Sequence, residues 1–210
     1  MGNRFHTIIF DLDGTLSDSA VLTMAALKNI LPNHELPLPS EQAIRTAMGH
    51  ATPEFYYILF PELNREKAND IGVQIEQEEL RLLPLLCGNL LFDGCRELIK
   101  HLGERGLRLC IASTGEREHV FSILNATGIT SFFDTIFCEQ PDKTEMLREM
   151  TKDGDKNGYV IVGDMKKDHE GAAANGILSI GACYGYCIRE LTNFDLYIDT
   201  PLELLKILDS

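Results

Sequence analysis

Two aspartates lie close together in the sequence, directly after a short hydrophobic run. The run is Ile8-Ile9-Phe10, and Asp11-Leu12-Asp13-Gly14-Thr15 follows it. Residues two apart in an extended chain point to the same side, so we expect the carboxylates of Asp11 and Asp13 to converge where a strand ends. Gly14 lets the backbone turn away into a loop. Two adjacent carboxylates favour a hard divalent cation, whereas an acidic turn containing a glycine is the alternative interpretation.

Hydroxyl and amine groups follow two later hydrophobic runs. Ser113-Thr114-Gly115 comes after the run Leu107–Ala112, and Lys143 precedes the helical pattern Thr144–Met150. We expect Ser113 and the loop amides to face the same crevice as Asp11, because open α/β sheets bind ligands at the carboxyl ends of their strands. A structural Ser-Thr-Gly turn and a solvated surface lysine are the alternatives.

A second acidic pair follows a fourth run, Tyr159–Val162. It lies in Gly163-Asp164-Met165-Lys166-Lys167-Asp168, and the alternative role of such acids is to cap the helix that begins near Asp168. The four strand ends together carry the groups that phosphoryl transfer through an aspartate requires.

The order of elements predicts how these groups are positioned. Short hydrophobic runs alternate with helical patterns, as in Cys95, Leu98, Ile99 and Leu102. Strands that alternate with helices predict a doubly wound α/β fold with a parallel sheet covered on both faces. The six predicted strands are Thr7–Phe10, Leu107–Ala112, Thr135–Cys138, Tyr159–Val162, Leu178–Ala182 and Leu196–Ile198.

Residues 18–88 interrupt this alternation of strands and helices. The segment contains helical patterns and no convincing strand. Ser40 is expected to cap a helix that stops before Gly49, and Thr52-Pro53-Glu54 is expected to be N-cap, N1 and N2 of the next. A longer helix is expected from Asn64 to Leu83, ending before Pro84. We therefore predict an α/β core of residues 1–17 and 89–210 and an inserted helical domain of residues 18–88.

Composition and charge exclude several classes of partner. The 210 residues are 44% hydrophobic and 24% charged, with a net charge of −13, which disfavours binding to nucleic acid or to anionic lipid. No hydrophobic run is long enough to span a bilayer, and no signal peptide is recognisable. The six cysteines form no zinc-type pattern; a Cys183–Cys187 cross-link is a minor alternative to buried thiols. We expect a cytoplasmic protein, monomeric or homodimeric.

The motif order resembles the haloacid dehalogenase-like superfamily across essentially the whole chain. The order is DxDGT, a hydroxyl residue after a strand, a lysine, and then GDxxxD. Within that superfamily, Asp11–Ser19 together with the helical insertion is similar to the phosphoglycolate-phosphatase-like group. The resemblance implies a Rossmann-like core with a helical cap, and a Mg²⁺-dependent phosphatase that acts on a small phosphorylated metabolite.

The resemblance also implies roles for individual residues. Asp11 would be the nucleophile that forms an aspartyl-phosphate, and Asp13 the general acid and base. Mg²⁺ would be held by Asp11, the backbone carbonyl of Asp13, and Asp164. Asp168 would either bind the metal directly or orient Lys143 or a metal-bound water. The groups expected to bind the phosphoryl oxygens are those of Ser113, Thr114, Gly115 and Lys143.

Three departures from the family pattern weaken any transfer of a specific substrate. Thr144 stands where many relatives have a proline after the lysine, Thr114 stands where asparagine is common, and Asp93-Gly94 replaces Pro-Gly. Phosphoglycolate, sugar phosphates, nucleoside monophosphates and pyrophosphate therefore all remain candidate substrates. Arg45, His50, Tyr56 and Arg117 are the side chains considered for contact with the leaving group.

Three other functions are compatible with parts of the pattern. A phosphomutase of the same superfamily, similar to β-phosphoglucomutase, would keep every catalytic residue and shield the phosphoenzyme from water. A receiver domain would place its phosphorylated aspartate on a later strand and would lack the helical insertion. A catalytically silent binding protein would be expected to have lost one of the four aspartates, all of which are present.

Overall fold

The computed structural model describes residues 4–48, 50, 52–140, 142–186 and 193–209. The chain divides into two compact units. The larger consists of Met1–Ser17 and Leu91–Ser210, and the smaller of Asp18–Leu90. No helix among the described residues is both long and apolar enough to cross a membrane.

The larger unit is built on one six-stranded parallel sheet, which confirms the predicted fold class. Its order is β3-β2-β1-β4-β5-β6, so the first strand of the chain lies in the middle. All four residues of that strand are buried, as expected for a strand covered on both faces. The strands are β1 (Thr7–Phe10), β2 (Arg108–Ala112), β3 (Thr135–Phe137), β4 (Tyr159–Gly163), β5 (Leu178–Ala182) and β6 (Leu196–Ile198).

Nine α-helices occur within the described residues, four in the smaller unit and five in the larger. Those of the smaller unit are α1 (Ser19–Ile30), α2 (Glu41–Ala47), α3 (Glu54–Leu59) and α4 (Arg65–Leu86). Those of the larger unit are α5 (Cys95–Glu104), α6 (Arg117–Thr127), α7 (Lys143–Thr151), α8 (Lys166–Asn175) and α9 (Glu203–Leu208).

Helices α7 and α8 pack against the middle of the sheet. Ile9 of β1 is paired with Cys110 of β2 on one side and Ile161 of β4 on the other, and all three are buried. Met146 of α7 and Ala172 of α8 belong to the same buried cluster. This packing fixes the ends of both helices relative to the carboxyl ends of β1 and β4.

Two helix boundaries in the smaller unit differ from the predictions. Helix α3 begins at Glu54 with Pro53 as its N-cap, one residue later than expected. Helix α4 contains Pro84 and continues to Leu86, where the N–H of Cys87 bonds to the carbonyl of Leu83. Proline removes one backbone hydrogen bond and its ring crowds the preceding helical turn, and the burial of Leu83 offsets part of that cost.

The helix starts at Ser40 and Asn64 follow the capping rule. The side chain of Ser40 accepts a hydrogen bond from the N–H of Ala43 at 3.2 Å, and that of Asn64 from the N–H of Lys67 at 2.8 Å. The stop predicted before Gly49 agrees with the end of α2, although Gly49 itself lies outside the described residues.

The cysteines of the sheet core are buried thiols. Cys95 and Cys110 are both free and buried, and burial raises their pKa values to about 12 and about 11. The alternative Cys183–Cys187 cross-link involves Cys187, which lies outside the described residues.

Candidate active site

The ends of β1 and β4 bring the first and fourth motifs side by side. The N–H of Asp11 donates to the carbonyl of Val162 at 2.9 Å, which extends the pairing of the two strands by one residue. Asp164 comes directly after the last residue of β4. Because the strands are parallel and adjacent, both aspartates emerge at the same edge of the sheet.

Three aspartates form a buried acidic cluster at this edge. One carboxylate oxygen from each of Asp11, Asp164 and Asp168 lies within 4.8 Å of the others. Asp11 is 5% exposed and the other two are fully buried. Asp168 reaches the cluster from the first turn of α8, which starts two residues after Asp164.

Lys143 is the cation that faces this cluster. It is the first residue of α7 and is 2% exposed. Its Nζ lies 2.8 Å from Oδ1 of Asp11 and 2.7 Å from Oδ1 of Asp168. The same amine donates to the carbonyl of Ala112 at the end of β2. The alternative of a solvated surface lysine is therefore wrong, because the amine is buried and held by three oxygens.

Burial and charge together shift the titration of these groups. Burial raises the pKa of Asp11 to about 6, and Asp168 raises it further while Lys143 opposes the change. Burial also raises the pKa of Asp164 well above its usual range, and Asp11 and Asp168 add to that effect. Burial alone would lower the pKa of Lys143, but the carboxylates of Asp11 and Asp168 outweigh it, so the pKa is raised.

The donor set at this edge fits a divalent cation. Three carboxylates face one ammonium in a buried site, so negative charge is in excess when all four groups are ionised. Oδ1 of Asp164 accepts a hydrogen bond from the hydroxyl of Thr15 at 3.1 Å, whereas Oδ2 is buried without a hydrogen-bond partner among the described residues. An unpartnered buried carboxylate oxygen is the kind of ligand that Mg²⁺ and similar hard cations take.

Each carboxylate oxygen of Asp168 lies next to a different group. Oδ1 pairs with Lys143, and Oδ2 accepts a hydrogen bond from the N–H of Met165 at 3.0 Å. The second contact is a helix cap, so the capping role considered for Asp168 is present alongside its contact with Lys143. All three aspartates offer one carboxylate oxygen to the cluster, so the contact of Asp168 with Lys143 does not remove it as a metal ligand.

Gly14 and Thr15 shape the turn beneath the cluster. Gly14 has φ of +80°, and a Cβ there would collide with the carboxylate of Asp164. Only glycine meets both requirements without strain. Thr15 is fully buried, and its hydroxyl orients Asp164.

The side chain of Asp13 lies outside the acidic cluster. The expected convergence with Asp11 relied on an extended chain, but the N–H groups of Thr15, Leu16 and Ser17 all bond to the carbonyl of Leu12. The backbone therefore turns immediately after Asp11, so side chains two residues apart no longer point to the same side. Both carboxylate oxygens of Asp13 lie 3.1 Å from Nε2 of His119.

The loop after β2 is tied to itself and to α8. Ser113 is 2% exposed, and its Oγ accepts a hydrogen bond from the N–H of Gly115 at 3.1 Å. The hydroxyl of Thr114 contacts Nζ of Lys167. The loop is therefore ordered at the end of β2, next to the strand that supplies Asp11.

Two residues that contact the predicted site residues were not themselves predicted from the sequence. Lys167 stands inside the GDxxxD motif, and its charge opposes the raised pKa of Asp11. His119 lies in the first turn of α6, four residues beyond Gly115. The position of Lys167 inside a motif was an available signal, whereas no local pattern distinguishes His119 from a surface histidine.

The four side chains predicted as candidates for contact with the leaving group make the following contacts or are exposed. Within the smaller unit, Arg45 makes a two-pronged ion pair with Asp18 at 2.9 and 3.0 Å, and Tyr56 is buried. His50 is exposed. The guanidinium of Arg117 lies 4.5 Å from the ring centroid of Phe121 in the same helix.

Comparisons with known proteins agree with this fold and show the family. Residues 8–182 match the haloacid dehalogenase-like hydrolase family. A phosphoglycolate phosphatase from Haemophilus influenzae is 28% identical, with 99% of this chain and 100% of the relative covered. A crystal structure of a predicted phosphoglycolate phosphatase from Haemophilus somnus superposes with a TM-score of 0.84 at 23% identity, covering 97% of this chain and 98% of the other. The structure of CbbY from Rhodobacter sphaeroides in complex with phosphate gives 0.78 at 20% identity, covering 98% and 100%.

The core is a doubly wound α/β sheet with an acidic cluster at the carboxyl edge of its strands. The chain belongs to the haloacid dehalogenase-like hydrolase family, as its motif order implied.

Proposed function

We propose that this protein is a Mg²⁺-dependent phosphatase that hydrolyses a small phosphorylated metabolite through an aspartyl-phosphate. The observation that carries the proposal is the buried cluster of Asp11, Asp164 and Asp168 against Lys143. The curated relatives named phosphoglycolate phosphatase support the reaction class.

Asp11 is the proposed nucleophile. Its Oδ1 is held by the ammonium of Lys143 and by the N–H of Leu12, each at 2.8 Å. These contacts fix the carboxylate in one orientation. In the first step a carboxylate oxygen attacks phosphorus, and the bond from phosphorus to the leaving oxygen breaks. A carboxylate needs no base to activate it at neutral pH.

Asp13 is the proposed acid and base. In its protonated form it gives a proton to the leaving oxygen as the first bond breaks. It then takes a proton from the water that attacks phosphorus, and the bond between Asp11 and phosphorus breaks to release phosphate. Its place outside the acidic cluster suits this role, because a group that exchanges protons with substrate cannot be locked to a buried cation.

Asp11 and Asp164 are the proposed metal-holding side chains, with the backbone carbonyl of Asp13 as a third ligand. When bound, a divalent cation supplies charge that lets an anionic phosphoryl group approach carboxylates and that stabilises its oxygens. Asp168 serves the site by holding Lys143 in place.

The loop after β2 is the proposed phosphoryl cradle. Ser113, the amides near Thr114 and Gly115, and Lys143 would bind the phosphoryl oxygens. Because the transition state of phosphoryl transfer is loose, such fixed donors contribute much of the catalysis. The helical segment of residues 18–88 is the proposed cap that selects the substrate, and residues 1–17 and 89–210 are the proposed catalytic core.

Phosphate release from a panel of substrates tests the proposal. The panel is phosphoglycolate, sugar phosphates, nucleoside monophosphates and pyrophosphate, each with Mg²⁺, for the wild-type chain and for Asp11→Asn. We expect turnover of at least one compound by the wild type and none by the variant. Retained activity in Asp11→Asn would contradict the nucleophile assignment. Isomerisation of a sugar phosphate without phosphate release would instead indicate a phosphomutase.

A further inference from the structure

His119 contacts the carboxylate of Asp13 across a sequence separation of 106 residues. Nε2 of His119 is equidistant from both oxygens, at 3.1 Å each. The side chains are 33% and 18% exposed, so the pair is partly screened from solvent without being buried. A contact symmetric about the two oxygens fixes the direction in which the carboxylate points.

The fold holds the imidazole firmly in this position. His119 lies in the first turn of α6, and the next residue, Val120, is fully buried. A Cβ at Gly115 would lie 3.4 Å from Cδ2 of His119 and 3.3 Å from Val120, so the ring packs against the backbone of the loop after β2. The loop that we assign to the phosphoryl group therefore also sets the place of the histidine.

We propose that His119 is a positioning residue for proton transfer by Asp13. This inference rests on the proposed function, in which Asp13 gives a proton to the leaving group and later takes one from water. An imidazole N–H can donate a hydrogen bond to one oxygen of a carboxyl group whether or not the other oxygen carries a proton. His119 can thus keep Asp13 aimed at the leaving oxygen in the first half of the reaction and at the attacking water in the second.

The dependence of rate on the leaving group isolates this role. An alkyl phosphate expels an alkoxide, which needs the proton from Asp13, whereas p-nitrophenyl phosphate expels a stable phenolate that leaves without one. General acid catalysis contributes about 10²–10⁴-fold where it is needed. A residue that only positions the acid should account for part of that factor, and only with the alkyl substrate.

The test compares kcat/KM for phosphoglycolate, or another alkyl phosphate that is hydrolysed, with kcat/KM for p-nitrophenyl phosphate, in the full chain with Mg²⁺. This ratio reports the steps up to release of the leaving group and excludes hydrolysis of the aspartyl-phosphate, which is common to both substrates. We expect His119→Ala to lower kcat/KM about 10- to 100-fold with the alkyl phosphate and less than about threefold with p-nitrophenyl phosphate. His119→Gln, whose side-chain amide can still donate to the carboxylate, should recover most of the loss. Glu118→Ala, an exposed neighbour in α6, is the matched control and should change neither rate.

The outcomes separate this inference from the proposed function. Asp13→Asn should show the same selectivity for the alkyl substrate with a larger loss. If Asp13→Asn is selective and both His119 variants keep the wild-type kcat/KM, or lose kcat/KM equally with both substrates, the positioning role is refuted while the phosphatase stands. If Asp13→Asn shows no selectivity, the acid role of Asp13 and the inference fail together.

Discussion

Replacing the proposed nucleophile should abolish turnover and yet make the metal-free protein more stable. The reason is the raised pKa of Asp11, which burial moves from its usual 3.8 to about 6 despite the contact with Lys143. The charged form of Asp11 is therefore unfavourable in the folded state, even with its ion pair counted. Asp11→Asn removes the charge while its amide oxygen can still accept the hydrogen bond from the N–H of Leu12.

The size of the effect follows from the linkage between pKa and stability. A pKa that is raised on folding gives stability that is fully present below pH 3.8 and is lost as the pH rises through about 6. At pH 7 the loss for Asp11 amounts to about 3 kcal/mol. Near pH 4 the wild-type carboxyl is mostly protonated, and the difference shrinks below about 1 kcal/mol.

Urea unfolding in EDTA, followed by circular dichroism at pH 7 and pH 4, measures this difference. Asp11→Asn should be more stable than the wild type by up to about 3 kcal/mol at the higher pH and nearly equal at the lower. Asp153→Asn, at an exposed position after α7, serves as a matched control and should show no gain. A variant that is no more stable at pH 7, or equally stabilised at both pH values, would refute the argument from charge burial.

Two further predictions concern the cations of the site. EDTA should inactivate the enzyme and Mg²⁺ should restore it, because Asp11, Asp164 and Asp168 crowd negative charge in a buried site; phosphate release that is indifferent to chelator would exclude the metal role. Lys143→Met should eliminate turnover and lower the free energy of unfolding by about 3–5 kcal/mol, because it leaves buried carboxylates without their partner. A Lys143→Met protein that unfolds like the wild type in urea would show that the ion pairs contribute no stability.

The sheet was predictable because its strands are short hydrophobic runs buried on both faces. β1, β5 and β6 have the predicted bounds, and the other three differ by a single residue at one end. Helix ends were less predictable where competing local effects were close in energy. At Pro84 the missing N–H favoured a stop, but the helix continues through the proline to Leu86.

The site was predictable where a motif and a strand end coincide. Asp11, Asp164 and Lys143 come together because β1 and β4 are adjacent and α7 packs near them, and the topology follows from the order of elements. The direction of Asp13 could not be predicted in the same way, because it depends on the turn around the carbonyl of Leu12. The contact with His119 depends on how α6 packs, which leaves no local trace in the sequence.

The geometry also indicates how a protein of net charge −13 can admit an anion. The amine of Lys143 is already held by Asp11, Asp168 and the carbonyl of Ala112, so a phosphoryl oxygen would have to share it with them. In the proposed mechanism Lys143 would therefore keep Asp11 ionised and oriented and would share a phosphoryl oxygen with it. A bound cation and Lys167, whose amine contacts Thr114 in the proposed phosphoryl cradle, would supply the remaining attraction for the substrate. Charges within about 4 Å outweigh a surface field that salt screens beyond about 8–10 Å, so a locally neutral site can operate inside an acidic protein.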